Sequence, residues 1–339
     1  MCDRTAFWDV NERQLEPGPY RARIEAFHTP QMQLALSSRS RSTWVGGRAP
    51  AGSVVFCVAL PSPDPRYFSY RPFLPKQVGV IRAGEELNLQ LINESQILTV
   101  AVDAHLADQA THQFLNVPLE DVGRDSIVHL RSAKTGATLG TRLRHFLREA
   151  MANAAALTER TAARDFETLV LKTLLAELDC ATPILNPPLR RQLALAADEY
   201  LQHRVDQPLD LPALCEKIGG SARTVQIAYR ETFGLSLKSA LQALRFNGAR
   251  RDLRNSRGHR VLVKEIALKW GFMHYGRFSV KYRGWFGEEP STTLGIDRTP
   301  IKRPPFQANR SPRLAFPPVS TFMVCPGAHP QTSLVPAGR

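Results

Sequence analysis

The 339-residue sequence has no stretch approaching the roughly eighteen consecutive apolar residues that a membrane-spanning helix requires, so no membrane association is expected. Its first ten residues, Met1 to Val10, carry Asp3, Arg4 and Asp9 without an apolar core, which predicts no secretory signal and a cytoplasmic location. Cysteine is sparse and scattered. Cys2, Cys57, Cys180, Cys215 and Cys325 form no C-x-x-C pair, which argues against a zinc knuckle or redox motif and for reduced thiols. The nucleophile elbow G-x-S-x-G, the zinc-protease H-E-x-x-H, the phosphate-binding P-loop and the dinucleotide fingerprint are all missing. The expectation is a protein that is not an enzyme and uses no cofactor.

What the chain does have is positive charge in one place. Residues 1–186 carry 20 Lys/Arg against 20 Asp/Glu, whereas residues 187–295 carry 18 against 10 and residues 296–339 carry 6 against 1. A surplus confined to one folded segment marks a polyanionic partner, usually nucleic acid. On charge alone a solvated basic face explains it equally well.

Composition divides the chain further. From Gln33 to Val102, segments rich in Val, Ile and Leu around Ser53–Ala59, Val78–Arg82, Leu87–Asn93 and Ile97–Val102 read as strands, punctuated by Pro61-Ser62-Pro63-Asp64-Pro65 and Ala83-Gly84-Glu85. A barrel or sandwich is predicted over 1–135. The pattern then turns helical, and Phe166, Leu169, Val170, Thr173 and Leu174 make one apolar stripe that is either core or a dimer contact. Residues 136–186 are therefore read as a helical linker. Asn186-Pro187-Pro188 breaks the chain before a helical domain over 187–295, and nine prolines past Leu294 predict a disordered basic tail over 296–339.

Two segments of the helical domain repeat each other. Leu211, Leu214, Cys215 and Ile218 face one side of a short helix ended by Gly219-Gly220, after which Ser221 caps a second helix with a buried face of Val225, Tyr229 and Phe233. Val263, Ile266, Ala267 and Trp270 repeat the first face, Gly271 the turn, and Phe278, Tyr282 and Phe286 the second. The endings agree as well: Tyr229-Arg230-x-x-Phe233-Gly234 returns as Tyr282-Arg283-x-x-Phe286-Gly287. Two short helices joined by a Gly turn form a helix-turn-helix, whose second helix can enter the major groove. The residues expected to meet DNA are Arg223, Thr224, Gln226 and Arg230 in the first unit and His274, Tyr275, Arg277, Ser279, Lys281 and Arg283 in the second. Arg and Gln carry the paired donors and acceptors that match G and A edges. Between the units Ser236 to Arg254 has helical spacing, a connector on the order of 28 Å long at about 1.5 Å per residue, close to the roughly 34 Å of one DNA turn.

The segment from about Arg190 to Leu294 resembles the AraC/XylS regulators. The resemblance rests on Ser221-Ala222-Arg223-Thr224-Val225, Phe233-Gly234, Arg245, Ala249-Arg250 and Leu253, then on Ile266-Ala267, Gly271-Phe272 and Phe278 through Phe286-Gly287 with Pro290. It implies an α+β chain: an N-terminal jelly-roll-like sensor, then an all-α domain with two DNA-reading units, together controlling transcription. Double-stranded DNA is the implied partner, with a small-molecule effector; the reading leaves room for RNA polymerase contacts and a homodimer. The sequence departs from the family at Ile227 and Val280, where many members have Arg, at Leu237, where the first unit often has Pro, and at Gly276, a base-reading position. The second unit is therefore expected to grip phosphates more than to read bases.

Two other readings stand beside this one. Asp103, His105, Asp108 and His112 lie close in sequence, and on a helix the last three would share a face, which would suit a cupin-type metal enzyme fused to a DNA-binding module; the ordinary reading is a solvated face with no metal. The other is an architectural DNA-binding protein without an effector.

Overall fold

The computed structural model describes residues 9–62, 64–123, 126–180 and 189–295. The tail expected over 296–339 and the Asn186-Pro187-Pro188 break lie outside the described residues.

The N-terminal half contains strands β1 (Asp9–Gln14), β2 (Ala22–His28), β3 (Met32–Arg39), β4 (Thr43–Arg48), β5 (Ser53–Ala59), β6 (Arg66–Phe68), β7 (Arg71–Pro72), β8 (Gln77–Arg82), β9 (Glu86–Leu91) and β10 (Ser95–Asp103). After these come α1 (Ala104–Leu115), β11 (Ile127–Leu130), α2 (Ala133–Ala152), α3 (Arg160–Leu175) and β12 (Leu178–Asp179). The strands build two antiparallel sheets, one ordered β1-β4-β9-β6-β7 and the other β12-β11-β8-β5-β10-β3-β2. The result is an open sandwich, not a closed barrel.

Side-chain alternation explains the layering. Strand β5 is apolar nearly throughout because both its faces are covered: Val54, Phe56 and Val58 join one core, Val55, Cys57 and Ala59 another. The second core fills the sandwich with Val45, Phe68, Leu89 and Leu91 from the five-stranded sheet. The first packs the seven-stranded sheet against α1, α2 and α3 through Leu139, Leu143, Leu147, Val170 and Leu174. Helices α2 and α3, most of the segment read from the sequence as a linker, thus form a helical layer over the seven-stranded sheet. Glu167 of α3, buried, accepts from Thr29 Oγ1 at 2.5 Å and Gln31 N at 3.1 Å, and β12 pairs back onto β11. The predicted stripe divides accordingly: Val170, Thr173 and Leu174 are buried, Phe166 packs against the core, and Leu169 is exposed.

The helical half contains α4 (Leu189–His203), α5 (Leu211–Ile218), α6 (Ala222–Phe233), α7 (Leu237–Asn255), α8 (Val263–Lys269), α9 (Tyr275–Phe286) and α10 (Pro290–Thr293). Among the described residues no helix is long and apolar enough to cross a membrane.

The two halves meet on the outer face of the five-stranded sheet. Leu15 and Trp44 enter the core of the second helical unit, while Tyr70 packs edge-on to Phe233 of the first with ring centroids 5.5 Å apart. Asn247 of α7 pairs with the backbone of Gln14 in both directions, accepting from its N–H at 3.0 Å and donating to its carbonyl at 2.8 Å. Strand β1 is one of several links between the halves.

Candidate nucleic-acid interface

Each repeat unit is built by local chemistry legible in the chain. Asp210 caps α5 by accepting from Ala213 N at 3.0 Å, and Gly219 ends it at φ 74°. Ser221 caps α6 by accepting from Thr224 N at 3.2 Å. α6 buries Val225, Ala228, Tyr229 and Phe233; α9 buries Phe278, Tyr282, Trp285 and Phe286. The turn before α9 requires glycine, because Gly271 stands at φ 74° and a Cβ there would lie 2.5 Å from the Asp206 carbonyl oxygen. Ser236 caps α7, whose 19 residues match the expected connector.

The units are held together by buried polar contacts. Tyr229 donates to Asp198 at 2.7 Å, and burial together with that carboxylate pushes the phenol well above its ordinary value. Tyr282 donates to Thr293 Oγ1 at 2.8 Å, Thr293 donates to Glu288 at 2.9 Å, and Glu288 pairs with the buried Arg250 at 2.7 Å. The Arg250 guanidinium also sits 4.3 Å from the Phe286 ring centre, so Arg250 ties α7 to α9 and its role is structural. Arg245 donates to the Val205 and Gln207 carbonyls, both at 2.6 Å, fixing the segment between α4 and α5. Trp270 follows α8 half-buried and donates to Asp252 at 2.9 Å; it lies across Gly248 of α7, where any Cβ would collide with its ring.

With these groups engaged inside, the outer faces are left to others. Arg223, Gln226 and Arg230 are exposed along α6, and Arg277 and Lys281 along α9, with no protein partner among the described residues. Arg283 is exposed but pairs with Glu289 at 3.3 Å. His274 is exposed at the N-cap of α9, and Tyr275 beside it is exposed. Two expected contact residues are placed differently. Thr224 is half-buried and its hydroxyl lies 2.8 Å from that of Ser221, within the cap, while Ser279 is half-buried with its hydroxyl turned inside.

Sequence reasoning missed the residues that join this surface to the five-stranded sheet. Gln90 of β9 donates to the Phe233 carbonyl, and Gln14 of β1 donates to the Trp285 carbonyl at 2.9 Å, which also accepts from Gly18 N at 3.0 Å. One sheet therefore holds the C-terminal ends of both α6 and α9. The exposed faces of both helices stay clear of these contacts.

The proposed metal ligands do not converge. His112 Nδ1 lies 3.4 Å from Asp108 on the exposed surface of α1, His105 lies 3.0 Å from Gln109 Nε2, and among the described residues no three His, Cys, Asp or Glu side chains gather to hold a metal.

Comparison with known proteins agrees with this geometry. Residues 214–295 match a helix-turn-helix domain family. A probable thc operon regulatory protein from Rhodococcus erythropolis is 35% identical over 109 residues, 32% of each chain. The XylDLEGF operon transcriptional activator 2 of Pseudomonas putida is 29% identical over 100 residues, 30% of this chain and 64% of that one. The solved structure of a probable AraC family regulator from Rhodopseudomonas palustris is 28% identical, covers 32% of this chain and 98% of that one, and superposes with a TM-score of 0.29. The chain thus spans about a third of the length of the first relative and under two thirds of the second. Residues 214–295 are thus similar to a helix-turn-helix domain, and the relatives that share this segment are named as operon regulators.

Proposed function

We propose that the whole protein is a transcription regulator that binds double-stranded DNA through α6 and α9 in successive major grooves and acts by binding, not by catalysis. The observation that carries this reading is the pair of structurally matched helices whose outer faces hold Arg223, Gln226, Arg230, Arg277 and Lys281 free of protein partners among the described residues. Arg223 and Gln226 read base edges, while Arg230, Arg277, Lys281 and Arg283 grip phosphates. His274 and Tyr275, at the exposed start of α9, contact the same groove. Thr224 and Ser279 act through the helix start and the helix seat, given where their hydroxyls lie.

The domain division we propose is a sensor up to about residue 180 and the double unit from about 189 to 295, with a small-molecule effector bound by the sensor. Supporting a ligand there, Arg39 is buried with Nη1 unpartnered, and Ser95, its register partner on β10, has an unpartnered buried hydroxyl. An effector that shifts the sensor sheet reaches both recognition helices through Gln14 and Gln90. A homodimer and contact with RNA polymerase complete the reading. The test is a mobility-shift competition in which the full chain is given the DNA flanking its own gene against scrambled duplex. Preferential retention of one flanking fragment is expected, and equal competition at every salt concentration would refute sequence-specific binding.

A further inference from the structure

The two recognition helices carry an apolar side chain at the same place. Counting back from the matched endings, Ile227 stands two residues before Tyr229 and Val280 two before Tyr282. Ile227 is 36% and Val280 74% exposed. A single exposed apolar side chain is ordinary on a protein surface. Two at equivalent positions, each on the outward row of a helix meant for the major groove, are a repeated feature. The row on α6 is Arg223, Ile227 and Glu231, with Gln226 and Arg230 alongside; on α9 it is Gly276, Val280 and Gly284, with Arg277, Lys281 and Arg283 around it. A β-branched residue gains nothing in an exposed helix, where it loses rotamer freedom.

The surroundings name the occupant. Arg223 and Arg230 flank Ile227, beside which Glu231 is itself paired with Arg190 at 3.3 Å, and Arg277, Lys281 and Arg283 surround Val280; this surplus of cations favours a polyanion over an apolar protein face. Open space surrounds the places where Gly276 and Gly284 would carry side chains, so the middle of α9 can come close to a base-pair edge and a short side chain suffices to touch it. The one apolar group that DNA presents in the major groove is the thymine 5-methyl.

We propose that Val280 and Ile227 each pack on the 5-methyl group of a thymine, adding two apolar specificity contacts to the polar readout by Arg223 and Gln226. This rests on the reading of α6 and α9 as DNA-recognition helices. The second unit then reads one base by shape, although it holds the duplex chiefly by charge.

The test uses the full chain and duplexes it enriches from a randomised pool. Each thymine of an enriched duplex is replaced in turn by deoxyuridine, which differs only in lacking the methyl. Two thymines, one in each half-site, should weaken binding about fourfold when demethylated, the weight of one buried methylene at about 0.8 kcal/mol. Val280→Ala should bind the thymine and uracil forms of one position alike, and Ile227→Ala those of the other. No uracil penalty anywhere, or penalties that persist in both variants, overturns the proposal. A change in the molar mass of Val280→Ala by light scattering would instead assign that residue to a protein contact and also overturn it. Failure to enrich any duplex is distinguishable from these results, because it removes the DNA reading itself and the inference with it.

Discussion

Replacing Gln14 with Ala should loosen the grip of the five-stranded sheet on the C-terminal end of α9. The side chain is 5% exposed, and its Nε2 donates to the Glu16 and Gly18 carbonyls at 2.7 Å and to the Trp285 carbonyl at 2.9 Å. The Glu16 and Gly18 bonds lie within the same segment, so one ordinary hydrogen bond across the two halves is lost, about 1 kcal/mol net. The Gly18 amide reports the opening directly, because it too donates to the Trp285 carbonyl at 3.0 Å and exchanges with solvent only when that contact breaks. At about 1.4 kcal/mol per tenfold, the Gly18 amide should exchange roughly fivefold faster in Gln14→Ala. Amide exchange in native buffer, with a core amide such as that of Val100 on β10 as an internal reference, measures this. A Gly18 rate that is unchanged, or that rises only in step with the reference, would refute the claim that Gln14 latches the two halves.

Other expectations follow from the same contacts. Arg250→Ala leaves Glu288 and the Phe286 face without their cation at a buried position, which should cost about 3–5 kcal/mol and lower the thermal midpoint, as calorimetry would show. Gln226→Ala should cost roughly 1–3 kcal/mol at the cognate site and relax base preference, whereas Lys281→Ala should weaken all duplexes alike; competition titrations separate the two. Cys57 is buried and its thiol is pushed up to about 12 by desolvation, so at neutral pH a thiol reagent should label it only after denaturant is added, and labelling at the native rate of an exposed thiol would contradict its placement.

The helical half was legible because its determinants are local. The cap at Ser221, the glycine turns at Gly219 and Gly271 and the spacing of the aromatic rows on α6 and α9 are each readable within a few residues of sequence. Strands β5, β8 and β10 were legible for a different reason, since apolar residues on both faces make them nearly continuous apolar runs, whereas β9 shows an alternation of Leu87, Leu89 and Leu91 with the polar Asn88 and Gln90. β1, with the sequence DVNERQ, gives no such signal. Its polar side chains are used across the chain: Arg13 covers the Trp44 ring at 3.8 Å, Glu12 pairs with Arg39, and Gln14 reaches Trp285. Partners on other strands and in the distant helical half leave no periodicity to read. The same holds for α2 and α3, whose apolar stripes are visible in sequence while the sheet they cover is not. At the site itself, exposure of Arg223, Gln226 and Arg277 followed from helix phase. The inward turn of Ser279 depends on tertiary packing around α9 and did not.

The account stands or falls on two recognition helices meeting one duplex at a fixed separation. The direct measurement is a hydroxyl-radical footprint of the full chain on a duplex it prefers, combined with substitution of every base pair in the protected segments. The account predicts two protected segments about 10 base pairs apart on one face of the duplex. It also predicts steeper penalties in the segment facing Arg223 and Gln226. A single protected segment, or steeper penalties in the segment facing α9, would contradict it.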